Sequence, residues 1–126
     1  ANSPDPCILF EPKSLYRSVT ETIPEGFYTL PLEKAEVVRS GDAVTLIGWG
    51  SQVRVLLEVA EMAKSDLNVS CEVIDLLSIL PWDKETVFES VKKTGRVLIA
   101  HEASYTSGFG SELAASIQKD CFLSLE

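Results

Sequence analysis

His101 is the only histidine in the 126-residue sequence, and Glu102 follows it at once. An imidazole beside a carboxylate is the raw material of a general base with its orienting acid. Consecutive residues at a strand end project to opposite sides, so these two are poorly placed to act together. There is no G-x-S-x-G elbow, and no cysteine lies near the histidine in sequence. A structural or interface duty therefore suits His101 and Glu102 better than catalysis. One histidine without an H-x-x-x-H pair or an acidic cluster does not make a transition-metal site. Two glycine turns offer other chemistry. Gly48-Trp49-Gly50 imitates the opening of a dinucleotide fingerprint, and Asp75 imitates its ribose acid. Val53 stands where the third glycine is needed and Trp49 fills the first gap, so a plain strand-to-helix turn is the simpler reading. Gly108-Phe109-Gly110 could turn N–H groups toward an anion, but Glu112 just beyond opposes a phosphate. Trp49, Trp82 and Phe109 suit packing in a core or an interface.

The elements that must carry these residues follow from periodicity. Apolar runs at 43–47, 71–77 and 96–100 read as buried strands, with a shorter strand at 35–38. Residues 52–67 repeat Val53, Leu56, Leu57, Ala60, Ala63 and Leu67 at helical spacing, and Val55, Val59 and Met62 widen the stripe. Ser51 is placed to cap this helix, and Asn68 to end it. A second helix, 84–94, is capped by Asp83, buries Val87, Phe88 and Val91, and ends at Gly95. A third, about 109–120, turns Phe109, Leu113, Ala114 and Ile117 inward. Phe122 to Leu125 then opens a fifth strand, in which the sequence stops. Alternating strands and helices predict an α/β fold: a three-layer αβα sandwich on a mostly parallel sheet of about five strands. The link between the first two strands is too short for a parallel crossover, so strand 35–38 is the antiparallel one, and 35–48 reads locally as a hairpin.

Residues 1–27 have no periodic face. Cys7–Phe10 is strand-like and 14–22 could form a short helix, so this part reads as the tail of a preceding domain plus a linker. Residues 28–126 are then the domain proper, truncated in its last strand. Hydrophobic residues make up 45% of the chain and the net charge is −8. The first figure predicts a folded core, and the second argues against a nucleic-acid partner, which needs an excess of Lys and Arg. No apolar run reaches membrane-spanning length. Cys7, Cys71 and Cys121 are odd in number and widely spaced, which favours free thiols over a disulfide framework or metal site.

Longer motifs are more specific. Phe10-Glu11-Pro12-Lys13, Leu32-Glu33-Lys34-Ala35-Glu36-Val37-Val38 and Val44-Thr45-Leu46-Ile47-Gly48-Trp49-Gly50 resemble the C-terminal domain of the transketolase superfamily. Cys71-Glu72-Val73-Ile74-Asp75-Leu76, Ile79-Leu80-Pro81-Trp82-Asp83 and His101-Glu102-Ala103 narrow the resemblance to the β-subunit family of branched-chain 2-oxo acid dehydrogenases, from Pro4 to Glu126. Pyruvate dehydrogenase β subunits are similar. Ser104-Tyr105-Thr106-Ser107 departs from the pattern, where a proline and a further glycine are usual. The resemblance implies a parent α2β2 enzyme that oxidatively decarboxylates branched-chain 2-oxo acids in the mitochondrial matrix, or in the cytoplasm of a bacterium. It implies thiamine diphosphate and Mg2+ bound between the α subunit and the β subunit's N-terminal pyrimidine-binding domain. It therefore implies no catalytic, cofactor or metal residue in this stretch, and inactivity of the stretch alone. The domain's work would be assembly with α and a second β, and docking of the small basic subunit-binding domain of the lipoyl-acyltransferase, which Glu126 would meet. Interface candidates are Glu126, His101, Glu102, Trp49, Trp82 and Phe109. The resemblance also replaces the local hairpin: the first strand lies at an edge beside the third, and the second is central, followed by the fourth and fifth. Trp49 and His101 then share one crevice. A stand-alone anion- or nucleotide-binding module using Trp49, Gly50 and Gly108 is the competing reading.

Overall fold

Val44 to Gly48, nearly all of it buried, is the central strand β2 of a four-stranded sheet. The computed structural model describes residues 3–18, 20 and 22–126. In chain order the elements are β1 (Glu36–Arg39), β2, α1 (Ser51–Leu67), β3 (Cys71–Asp75), α2 (Lys84–Thr94), β4 (Val97–Ile99) and α3 (Phe109–Cys121), with 3-10 turns at Lys13–Leu15 and Phe122–Ser124. The sheet order is β1-β3-β2-β4. β3 and β4 run parallel to β2, while β1 pairs antiparallel with β3. The hairpin suggested by local reading is absent, and β3 lies between its two arms.

Alternation along the strands separates two cores. Ile47 and Ile74 pack with Val87 and Val91 of α2 and Leu113 and Ile117 of α3. Leu46 and Val73 point the other way, onto Leu56 and Ala60 of α1. Two helices thus cover one face and one helix the other, which completes the αβα sandwich. The single-helix face explains a correction. Val55, Val59, Met62 and Leu67 are exposed, because α1 has no neighbouring helix to fill its flanks. Ala114 is exposed as well, and α3 buries Gly110, Leu113, Ile117 and Cys121.

Helix ends follow local chemistry. Asp83 accepts the Thr86 N–H and caps α2, and Gly95 closes it in the left-handed region. Asn68 closes α1 in the same way. The N-cap of α1 is Gly50, with Ser51 already helical.

Other expectations are corrected at the ends of elements. β3 stops at Asp75, two residues early, and Leu77 adopts φ 53. β4 is three residues long and Leu98 is half-exposed, so it is not a buried strand. No fifth strand forms at 122–125, where α3 runs on into a 3-10 turn. One rung only, from the Glu126 N–H to the Gly95 carbonyl (2.9 Å), lies beside β4, and one rung is not a ladder. Ile8, Leu9 and Phe10 are exposed and unpaired rather than in a strand. The helix expected at 14–22 reduces to Lys13–Leu15, and Val19 and Glu21 fall outside the described residues. All three cysteines are free, Cys71 and Cys121 buried and Cys7 exposed.

Candidate functional site

The strands β2, β3 and β4 release the chain at one rim, and the crossovers diverge there. α1 carries the chain from β2 to β3 on one face, whereas α2 and α3 lie on the other. Such a switch point is where open α/β sheets hold ligands. Trp49 and His101 do meet at it, their rings stacked with centroids 5.4 Å apart and planes 11° apart. Phe109 closes on Trp49 edge-on at 5.8 Å. The imidazole also lies against Gly110, where a Cβ would overlap the ring, so glycine is required by close approach. Three rings therefore fill the crevice. Among the described residues Nδ1 of His101 is buried without a hydrogen-bond partner. Glu102 is exposed and makes no hydrogen bond with His101 among the described residues, as their opposite projections require. Trp82 does not reach the surface: it packs into the core, edge-on to Phe88 at 5.7 Å. An interface role for it is corrected accordingly.

Asp83 of the same motif does more than cap a helix. Although buried, it accepts the Ala35 N–H (3.0 Å) and the Thr86 hydroxyl (2.8 Å), with Lys34 Nζ at 3.8 Å. Burial pushes its carboxyl up, but these donors and Lys34 outweigh burial and leave it below the usual range. The residue thereby ties the start of β1 to α2. The signal in sequence was an acid directly after an apolar Pro-Trp pair.

At the opposite end of the sheet, Glu72 is 3% exposed in β3. Burial raises its carboxyl, but Lys93, Ser90 and the Gly41 N–H hold it below the ordinary value. Thr45 beside it bonds Ser90 and Thr94, each at 2.7 Å. A carboxylate in the middle of an apolar run, Cys71-Glu72-Val73-Ile74, was the overlooked sign of this network. Glu126 lies at this end too. Its exposed carboxylate pairs with Arg96, on a groove also lined by Gly95, Val97, Gln118, Phe122 and Leu125.

These residues do not fit a magnesium–diphosphate group. Among the described residues no three His, Cys, Asp or Glu side chains converge. At the switch point Trp49, His101 and Phe109 pack on one another.

The chain is thus a doubly wound α/β domain with one antiparallel edge strand, and three rings pack together at its switch point. The family model of the transketolase C-terminal domain matches residues 33–126, and the chain belongs to that family. It is 57% identical over 122 residues to the mitochondrial 2-oxoisovalerate dehydrogenase subunit beta of Dictyostelium discoideum, covering 97% of this chain and 33% of that one. The pyruvate dehydrogenase E1 component subunit beta of Mycoplasma pneumoniae is 41% identical, over 95% of this chain and 36% of its own. Among solved structures, a split gene transketolase described as an inactive beta4 tetramer matches with TM-score 0.69 and 29% identity, covering 81% of this chain and 33% of the other. The chain spans about a third of the length of the curated relatives it matches.

Proposed function

We propose that this chain is the assembly and partner-docking domain of the β subunit of a branched-chain 2-oxo acid dehydrogenase. The observation that carries the reading is the 57% identity to a 2-oxoisovalerate dehydrogenase β subunit, against 41% to a pyruvate dehydrogenase β subunit. In this reading the parent α2β2 enzyme decarboxylates branched-chain 2-oxo acids and passes the acyl group to the lipoyl-acyltransferase. Thiamine diphosphate and Mg2+ supply the carbanion chemistry elsewhere in the heterotetramer, and no residue of this chain is assigned to them. Residues 1–27 are the tail of the pyrimidine-binding domain and a linker. The compartment is the mitochondrial matrix, with the bacterial cytoplasm as its counterpart.

Docking of the acyltransferase is placed at Glu126, whose exposed carboxylate a basic domain would share with Arg96. An exposed ion pair contributes about 0.2–1 kcal/mol, and several times more once desolvated. In the full-length β subunit assembled with α, Glu126→Ala weakens acyltransferase binding, most at low salt, and leaves decarboxylation of free 2-oxo acid intact. Measuring both on one preparation checks this. Unchanged affinity at low salt, or lost decarboxylation with normal assembly, overturns the assignment.

A further inference from the structure

Glu126 does not offer a bare carboxylate. Its N–H donates to the Gly95 carbonyl (2.9 Å), and Gly95, at φ 68, makes room for its side chain, since a Cβ there would crowd Glu126 Cγ. Seated in this way, the carboxylate accepts from the Arg96 guanidinium on Oε2. Among the described residues Oε1 has no donor.

Arg96 is held from beneath. Its carbonyl accepts the Thr45 N–H (2.8 Å) and the Thr94 hydroxyl (3.0 Å). Thr45 is buried in the central strand, and its own hydroxyl bonds Thr94 and Ser90. The guanidinium also reaches the Ala43 carbonyl (3.4 Å). The backbone under both charges is therefore fixed from within this chain, by the buried hydroxyls on one side and the Gly95 rung on the other. A carboxylate in this position has already given up part of its accepting capacity, and an incoming cation must share what is left. The net charge of −8 still attracts a basic surface from a distance. The close contact is what Arg96 controls.

We propose that Arg96 is a built-in competitor for Glu126. It occupies the carboxylate in the free subunit, so a basic partner docks by taking Oε1 beside it or by displacing it, and Arg96 reclaims the carboxylate as the partner leaves. This rests on the docking role of Glu126 proposed above and adds a residue that keeps docking reversible.

The test measures binding of the acyltransferase's subunit-binding domain to α2β2 enzyme assembled from full-length β subunit, by titration calorimetry at low and high salt. Arg96→Gln tightens binding about two- to fivefold at low salt, and the gain shrinks as salt rises. Arg96→Met, which keeps the aliphatic stem and removes the donors, gives the same gain. Glu126→Ala costs more affinity in the Arg96→Gln background than in the wild type, because only there is the whole carboxylate free to be lost. Binding that is indifferent to Glu126→Ala in both backgrounds overturns the docking role on which the proposal rests. A loss caused by Glu126→Ala, with weaker or unchanged binding in both Arg96 variants, overturns the competition and makes Arg96 a group that orients the carboxylate. Equal cost of Glu126→Ala in the two backgrounds overturns the competition as well, since the two charges then act independently.

Discussion

Glu72 and Asp75 stand three residues apart on β3, one near each end of the sheet. Around Glu72 every polar group is answered: Lys93, Ser90 and the Gly41 N–H serve the carboxylate, and Thr45, Ser90 and Thr94 serve one another. Around Asp75 the accounts stay open. One N–H faces it, a like charge lies opposite, the backbone of Leu77 is strained, and across the rim His101 Nδ1 lacks a partner. Burying a polar group is costly unless it is bonded. The buried network around Glu72 is therefore finished within this chain and serves stability, while the exposed Glu126 at the same end is the carboxylate offered for docking. The second end keeps polar groups that this chain leaves unanswered among the described residues.

That contrast can be broken most directly at the finished end. Glu72→Ala strands the Gly41 N–H, while Ser90 keeps its bond to Thr45, and should cost about 1–3 kcal/mol in unfolding free energy, toward the lower part of that range because Lys93 can reach water. Leu80→Ser, at the unfinished end, should stay within about 0.5 kcal/mol. Urea denaturation of both variants checks the pair, and equal losses would erase the distinction.

A smaller effect sharpens it through pH. Glu72 and Asp83 have folded values below their unfolded ones. The stability they give is present above about pH 4 and is lost as pH falls through the folded values. Asp75 is shifted the other way, so the folded chain takes up its proton first. Its penalty at neutral pH is relieved as pH falls through its raised value. The unfolding midpoint should rise slightly below neutrality before falling in acid. Asp75→Asn should remove the rise and keep the fall. A rise that persists in Asp75→Asn assigns it to another group.

The three helices were legible because each needs only local information: an apolar face at 3.6-residue spacing, Asp83 ahead of α2, Gly95 and Asn68 behind. The order of the sheet was not legible from local pattern, since nothing within 35–48 reveals that β3 will lie between its two strands, and only the family resemblance placed it. The exposure of Val55, Val59 and Met62 was equally hidden. A helix carries the same apolar stripe whether one neighbour or two will cover it. At the rim, Trp49 and His101 were paired correctly through the strand order. The stacked geometry depends on Gly110, about nine residues further on, admitting the ring. Asp75 was singled out only as an imitation of a ribose acid; its opposition to Glu36 escaped notice because that is a matter of register between strands far apart in sequence.

The insertion of β3 between β1 and β2 also sets an order of events in folding. β1 and β2 are separated by only four residues, 40–43, so a transient hairpin between them closes far sooner than any pairing that waits for residue 71. That hairpin is non-native and must open before β3 can enter. The unit β2-α1-β3 is then the natural nucleus, and β1, though first in the sequence, is the late addition. Pulse-labelling of amides during refolding should protect Leu46 and Val73 before Val37. Early, lasting protection of Val37 would place β1 in the nucleus instead.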